Sequence, residues 1–110
     1  MYAKFAAGLV VGTGAAINIP LGFRPEYVRI VNAEDGDRID EYFGSTENDA
    51  DRMAAGTSIT TSNTATTEVA LRATNGITIA YGNESTPAGF TIGSGISENG
   101  KDLRFVAFGH

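Results

Sequence analysis

Apolar and polar residues alternate with a period of two along several stretches of the chain. In the stretch EYVRIVNA, Val28 and Ile30 fall on one side, and Tyr27, Arg29 and Val31 fall on the other. In KDLRFVAFG, the same alternation separates Leu103, Phe105 and Ala107 from their neighbours. Successive side chains of a strand point to opposite faces of a sheet, so this pattern predicts strands with one buried face. EVALRA and ITIAYG are two further short runs of this kind.

Turn-forming residues separate these runs. Asn75-Gly76 lies between EVALRA and ITIAYG, Asn99-Gly100 lies between GFTIG and DLRFVAF, and residues 34–37 (EDGD) lie between YVRIVN and RIDEYF. Asn-Gly readily supplies the positive φ angles that a tight β-hairpin requires. The sequence therefore predicts at least three hairpins, with turns at these three places.

A polar stretch of small residues, at about residues 44–68, interrupts the pattern and predicts a loop insertion. Within it, Ser45 or Thr46 is suited to cap a helical turn over residues 51–55, which Gly56 would end. The Thr- and Ser-rich part that follows predicts a loop or an edge strand. Taken together, the runs and turns predict an all-β fold, a small antiparallel β-sandwich or jelly-roll-like domain. A length of 110 residues fits a single domain.

Composition and charge exclude several classes of protein. The chain has no cysteine, which excludes disulfides and thiol chemistry, and its formal net charge of −5 argues against a nucleic-acid partner. Its apolar runs are too short for a membrane-spanning helix, and the opening MYAKFAAGLVVG predicts a first strand and not a signal peptide. A small domain without disulfides needs another source of stability, so we expect a homo-oligomer, a dimer or a trimer.

The sequence offers little catalytic chemistry. Its single histidine is the last residue, His110, where a side chain is poorly placed to act as a general base. We therefore expect no enzyme, no cofactor and no metal. Two groups of carboxylates leave calcium binding open as an alternative, although their spacing does not match a calcium-binding loop, and we favour a role in solubility. These residues are Asp35, Asp37, Asp40 and Glu41, followed by Glu47, Asp49 and Asp51.

The aromatic residues divide into predicted core and predicted surface. Aromatic side chains bury the largest area per residue, so we expect Phe90, Phe105 and either Phe5 or Phe23 in the core. Three tyrosines have two interpretations. They are either exposed on one sheet face, where they would stack on a sugar or a partner protein, or half-buried with their hydroxyls in water. These residues are Tyr27, Tyr42 and Tyr81.

Two segments resemble the small β domains of tailed-phage structural proteins. LGFRPEYVRIVN, at residues 21–32, resembles their opening strand, Gly-Phe-x-Pro-x-x-Val-x-Ile-x-Asn. AGFTIGSGISENGKDLRFVAFG, at residues 88–109, resembles their closing hairpin, and the two segments cover about a third of the chain. The matched positions look like turns and core aromatics, so no functional residue carries over: Gly22, Phe23, Pro25, Gly89, Phe90, Gly93, Asn99 and Gly100.

The resemblance implies a β-sandwich module of the virion surface. Such modules occur in capsid decoration proteins, head fibres and tail fibres. Because the sequence shows no shaft or charged tail, we expect a capsid decoration (cement) protein that binds the major capsid protein and stabilises the lattice at the capsid surface. The alternative is a carbohydrate-binding fibre tip that recognises a host glycan. The expected contact surface comprises residues 44–68 and Met1, Tyr2, Lys4, Phe5, Tyr27, Tyr42 and Tyr81.

Overall fold

The computed structural model describes residues 4–44, 52–63 and 68–109. These residues form eight β-strands and no helix, and every paired strand runs antiparallel to its neighbour. The predicted all-β antiparallel fold is therefore confirmed. The strands are β1 (Lys4–Val11), β2 (Ile17–Pro20), β3 (Pro25–Asn32), β4 (Arg38–Phe43), β5 (Thr57–Ser62), β6 (Glu68–Ala80), β7 (Gly89–Ile92) and β8 (Asp102–Gly109).

The strands belong to one curled sheet and not to the two packed sheets of a sandwich. Their order is β1-β8-β3-β4-β5-β6-β7-β2. β1 and β2 occupy opposite ends of this order, yet only residues 12–16 connect them. So short a connection requires the sheet to curl until its two ends approach each other. The fold is thus a small antiparallel all-β domain in which a single sheet of eight strands encloses its core by curvature.

The inner face of the curled sheet carries the apolar core. Phe90 and Phe105 meet edge to face with ring centroids 5.3 Å apart, as predicted for core aromatics. Phe23 is partly buried, whereas Phe5 is mostly exposed, so Phe23 is the better of the two candidates for the third core aromatic. Of the residues predicted to share a face, Val28 and Ile30 of β3 and Leu103 and Ala107 of β8 are buried, and Phe105 is partly buried against them. The buried hydrophobic residues are Val28, Ile30, Tyr42, Ile77, Phe90, Ile92, Ile96, Leu103 and Ala107.

Of the three predicted hairpin turns, one is confirmed and one becomes a bulge. Residues 34–37 do connect the paired strands β3 and β4, with Gly36 at a positive φ of 68°. Asn75-Gly76, in contrast, lies inside the long strand β6, so the prediction of a hairpin there is wrong. Asn75 has a φ of 56°, and the pairing with β5 skips from Arg72 to Ile77. The same backbone preference that suits a tight turn has produced a bulge that bends β6.

The third predicted hairpin, at Asn99-Gly100, is also wrong. This turn does connect β7 to β8, but the two strands are not neighbours in the sheet. The turn packs instead against the β1–β2 connection: the Gly12 N–H donates to the Lys101 carbonyl at 2.9 Å, and the Gly100 N–H donates to the Gly12 carbonyl at 2.8 Å. The Gly14 N–H also donates to the Ser97 carbonyl. These bonds hold the ends of the curled sheet together.

The polar stretch at residues 44–68 is not simply a loop insertion. Its Thr- and Ser-rich part forms β5, which lies between β4 and β6 and is not at an edge of the sheet. Residues 52–56 contain turns and no helix, which contradicts the part of the predicted helical turn that falls on them. Residue 51 and the predicted caps Ser45 and Thr46 lie outside the described residues. Small hydroxyl side chains suit β5 because its inner face meets a buried carboxylate.

That carboxylate belongs to Asp40, which is almost fully buried on the inner face of β4. Its Oδ1 accepts hydrogen bonds from Ser58 Oγ at 2.8 Å, from Arg72 Nε at 2.9 Å and from the Thr60 hydroxyl. Donors from β5 and β6 thus compensate a charge taken out of water on β4. This polar cluster fixes the register of three consecutive strands.

Replacing Asp40 by Ala should lower the free energy of unfolding by about 3 kcal/mol, because the Arg72 charge would remain only 19% exposed with its partner removed. Urea unfolding followed by circular dichroism measures this loss. Glu84→Ala, at an exposed loop residue, is the control and should change the free energy by less than about 0.5 kcal/mol. Equal effects of the two substitutions would contradict the structural role assigned to Asp40.

Candidate interaction surface

The outer face of the sheet carries a row of aromatic residues that crosses four neighbouring strands. The strand registers place Phe5 opposite Phe108, Phe108 opposite Tyr27, and Tyr27 opposite Phe43. Ring centroids are 5.0 Å apart for Phe5 and Phe108, 6.2 Å for Phe108 and Tyr27, and 5.2 Å for Tyr27 and Phe43. Phe5 is 59% exposed and Phe108 is 44% exposed. The rings therefore contact one another along the row and leave much of their surface in water.

Two further rows of mainly apolar residues run parallel to the aromatic row. Strand register extends both of them as far as β6, where Val69 and Leu71 are exposed by 66% and 63%. We call the three rows together the outer apolar face. The second row is Ala7, Val106, Arg29, Glu41, Ile59 and Leu71, and the third is Leu9, Arg104, Val31, Ile39, Thr61 and Val69.

The outer side of the remaining strands is different. On β2, β7 and the last part of β6, the outward positions include Asn18, Thr91 and Thr78, and the Thr91 hydroxyl donates to Asn18 Oδ1 at 2.8 Å. This is the polar outer surface expected of an antiparallel sheet that faces water. The outer apolar face is therefore a local feature and not a general property of this chain, and exposed apolar patches of this kind mark interaction sites.

Tyr27 lies within the aromatic row, and its hydroxyl is hydrogen-bonded to a carboxylate of the neighbouring row. Tyr27 Oη donates to Glu41 Oε2 at 2.5 Å. Burial, followed by this hydrogen bond and the negative charge of Glu41, raises the pKa of Tyr27 to about 12. Arg29, opposite Glu41 in the register, acts in the other direction. At neutral pH, the face therefore contains a neutral phenol that already has a hydrogen-bond acceptor.

The structure separates the residues that the sequence predicted as a contact surface. Lys4 and Phe5 lie on the edge strand β1 and are exposed, and Tyr27 is part of the aromatic row. Tyr42 is 2% exposed, and its hydroxyl donates to the Met53 carbonyl at 2.6 Å, so it is neither exposed nor half-buried with its hydroxyl in water, the two interpretations that the sequence left open. The inward direction of Tyr42 follows from its place opposite Val28 in the β3–β4 register. Met1 and Tyr2 lie outside the described residues.

Tyr81 is exposed but does not belong to the outer apolar face. It follows β6, and the guanidinium carbons of Arg24 and Arg52 lie 4.7 and 4.6 Å from the centre of its ring. Cations over an aromatic ring are attracted to its π electrons. The three predicted tyrosines therefore occupy three different environments and do not form one stacking platform.

Three of the carboxylates considered for calcium, Asp35, Asp40 and Glu41, make contacts within the fold. Lys101 Nζ contacts Asp35 Oδ1 at 3.2 Å, while Asp40 and Glu41, adjacent in sequence, point to opposite faces of β4. Among the described residues, no three His, Cys, Asp or Glu side chains converge on a possible metal position. Residues 47, 49, 51 and 110 lie outside the described part, so the predictions made for them remain predictions.

Phe43, Phe108, Leu71 and Val69 are surface residues that sequence reasoning did not identify as part of a site. Alternation alone assigned Phe108 to the side opposite Leu103, which is confirmed, but it did not show that Phe5, Tyr27 and Phe43 join it. The available signal was that both alternating sides of the strands in YVRIVN and LRFVAF contain large apolar residues. A sheet with only one buried face has no need of such residues on its second side.

Comparisons with known protein families, with curated proteins and with solved structures found no match to this chain. The resemblance to tailed-phage β domains therefore remains a prediction from two sequence segments. The described part of the chain also contains no helix that is long and apolar enough to cross a membrane.

The raised pKa of Tyr27 predicts a specific dependence of stability on pH. The hydroxyl is neutral in folded and unfolded chains below about pH 10, so its contribution to stability is complete there and is lost as the pH rises through about 12. Ultraviolet titration of phenolate should show a group ionising near pH 12. Tyr27→Phe should remove that group, and Glu41→Gln should lower its pKa. An unchanged high-pH titration in Tyr27→Phe would contradict the assignment. Burial also raises the pKa of Tyr42, so the ionisation of Tyr27 must be measured as the difference between the titrations of the unmodified protein and Tyr27→Phe.

Proposed function

We propose that this chain is a non-enzymatic structural protein that binds another protein through its outer apolar face, and that it is a capsid decoration protein of a tailed phage. The observation that carries the proposal is the aromatic row of Phe5, Phe108, Tyr27 and Phe43, continued by two mainly apolar rows. The phage assignment draws on the resemblance of residues 21–32 and 88–109. The partner in that case is the major capsid protein.

The size of the outer apolar face supports a protein as partner. Six strands spaced about 4.8 Å apart and three rows of side chains correspond to an area of about 500 Å² measured along the curved sheet. A standard protein–protein interface buries about 800 Å² on each partner, so a partner that follows this curvature would bury a large part of a standard interface on the outer apolar face. A contact of this size, repeated over many copies on a closed shell, would give a large total stabilisation through multivalency.

The distribution of charge also supports docking through this face. The whole chain has a formal net charge of −5, but the three rows contain two arginines, Arg29 and Arg104, and a single acid, Glu41. The acids at residues 34–37 lie in the β3–β4 turn, beyond the rows. The outer apolar face therefore has a formal charge of +1, whereas the chain as a whole has a formal net charge of −5, so the face does not share the negative charge of the rest of the protein.

Introducing a charge into the aromatic row should weaken binding to capsids. Phe43→Lys is expected to reduce affinity for expanded capsids about 10- to 30-fold, because a buried aromatic contact would be replaced by a cation that must lose water. Co-sedimentation with purified capsids measures the change. Thr86→Lys, in the exposed loop after β6, adds the same charge away from the face and should bind like the unmodified protein. Undiminished binding by Phe43→Lys would count against the outer apolar face as the contact.

The location on the virion can be tested directly. Immunogold labelling with an antibody against this protein should place gold over the heads of intact particles. Gold confined to tails would favour a receptor-binding module, and unlabelled particles would contradict the virion assignment.

The second candidate function is binding of a host glycan, and one observation favours it. A cavity of about 300 Å³ lies beside Tyr81 and is also lined by Arg52 and Tyr42. Aromatic rings and arginines are suited to sugars with acidic groups. The two guanidinium groups already over the Tyr81 ring limit its use for stacking, which is why this function ranks second. A glycan array without a hit above background would exclude it, and a hit should be lost in Tyr81→Ala.

A further inference from the structure

The two edge strands of the sheet are protected against pairing to very different degrees. β2 has only four residues, ends at Pro20, and carries the polar side chain of Asn18 on its outer side. A short strand and a proline are features that prevent an edge from accepting another strand. β1, at the opposite end of the sheet order, has none of these features.

β1 is long, apolar and open along one side. It has eight residues, KFAAGLVV, with Lys4 as the only charged residue and no proline. It pairs with β8 on one side, and no described residue forms backbone hydrogen bonds with its other side over residues 4–11. In an antiparallel edge strand, every second residue directs its N–H and C=O away from its neighbour, so about four residues of β1 offer unpaired backbone groups.

From these features we infer that β1 pairs antiparallel with β1 of a second copy of this chain, which joins two curled sheets about a two-fold axis. The occupant is a second copy because the strand is complementary to itself. A two-fold axis near Gly8 places Phe5 opposite Leu9 or Val11 of the second copy, depending on the register. Since directly opposed residues share a face, the outward apolar side chains of both strands then cover one another. An interface of this kind, in which both copies use the same patch, closes at the dimer.

The middle of β1 can accommodate the approach of another strand. On the inner side, the ring of Phe105 covers Gly8, and a Cβ at Gly8 would lie 2.7 Å from Phe105 Cζ. On the outer side, the neighbouring residue Ala7 is small. The two-fold axis would therefore pass through the part of β1 with the smallest side chains, where neither copy obstructs the other.

This dimer is independent of the proposed capsid partner, and the two would act together. Pairing through β1 sets two outer apolar faces side by side in one continuous sheet. It uses backbone groups at the edge and leaves most of both faces free for another protein. The failure of capsid binding would therefore leave the dimer intact, and the absence of a dimer would leave the face available in a monomer.

A matched pair of lysine substitutions tests the inference by sedimentation equilibrium. Leu9 and Leu71 are both on the outer apolar face and exposed by 51% and 63%, but only Leu9 is on β1. The unmodified protein should sediment as a dimer. Leu9→Lys should raise the dimer dissociation constant at least 10-fold, because a charged side chain would replace an apolar one that packs against Phe5 or Ala7 of the second copy, whereas Leu71→Lys should leave it unchanged. A monomeric unmodified protein, or equal loss in both variants, would overturn the inference. Circular dichroism confirms that each variant is folded.

Cross-linking gives a second test, which does not depend on disrupting the dimer. The chain has no cysteine, so any disulfide must form between introduced cysteines. When Phe5 lies opposite Leu9, Ala7 lies opposite Ala7 of the second copy, and Ala7→Cys should form an intermolecular disulfide under mild oxidation, since opposed Cβ atoms in antiparallel strands lie about 4.5–5.5 Å apart. When Phe5 lies opposite Val11, Ala7 lies opposite Leu9, and the disulfide should instead join Ala7→Cys to Leu9→Cys in a mixture of the two variants. Leu71→Cys, remote from β1, should form no such disulfide. Faster cross-linking through Leu71→Cys than through Ala7→Cys would show that copies meet through the outer apolar face, and would overturn pairing through β1.

Discussion

The curl of the sheet depends on the contact between the β1–β2 connection and the turn before β8. Gly12 exchanges two backbone hydrogen bonds with Gly100 and Lys101, and a Cβ at Gly12 would lie 1.9 Å from the carbonyl oxygen of Glu98. The contact therefore requires a residue without a side chain. By holding the two ends of the strand order together, it lets one sheet surround its own core, and it turns the other side of that sheet outward.

Inside the curl, a polar cluster adjoins the apolar core. Val28, Ile30 and Phe90 form part of this core, and Tyr42 and Ile77 extend it onto β4 and β6, whereas Asp40 organises the polar contacts between β4, β5 and β6. Breaking a buried ion pair leaves an uncompensated charge, so only the native register of these three strands satisfies Asp40 and Arg72 together. The polar cluster thereby specifies pairing where the apolar pattern is weakest, in the Thr- and Ser-rich β5.

Outside the curl, the sheet has an apolar surface that it does not cover itself. The aromatic row crosses β1, β8, β3 and β4, and β1 also ends the sheet with an unprotected edge. An exposed apolar face and an open edge both favour aggregation in water unless they are used for binding. The two features adjoin each other but differ in chemistry. In the two proposals made above, backbone pairing would serve the contact through β1, and side-chain burial would serve the contact through the outer apolar face.

The sequence by itself determined the strand character of β3 and β8 and the direction of Val28, Ile30, Leu103 and Ala107, because side-chain alternation is a local property of extended backbone. It also determined that residues 34–37 turn the chain. It did not determine whether Asn75-Gly76 and Asn99-Gly100 form hairpins, because the same positive φ angles serve a bulge or a connection between distant strands. Nor did it reveal the burial of Tyr42 or the aromatic row. Those depend on which strands become neighbours and in which register, and only the tertiary structure decides such non-local pairings.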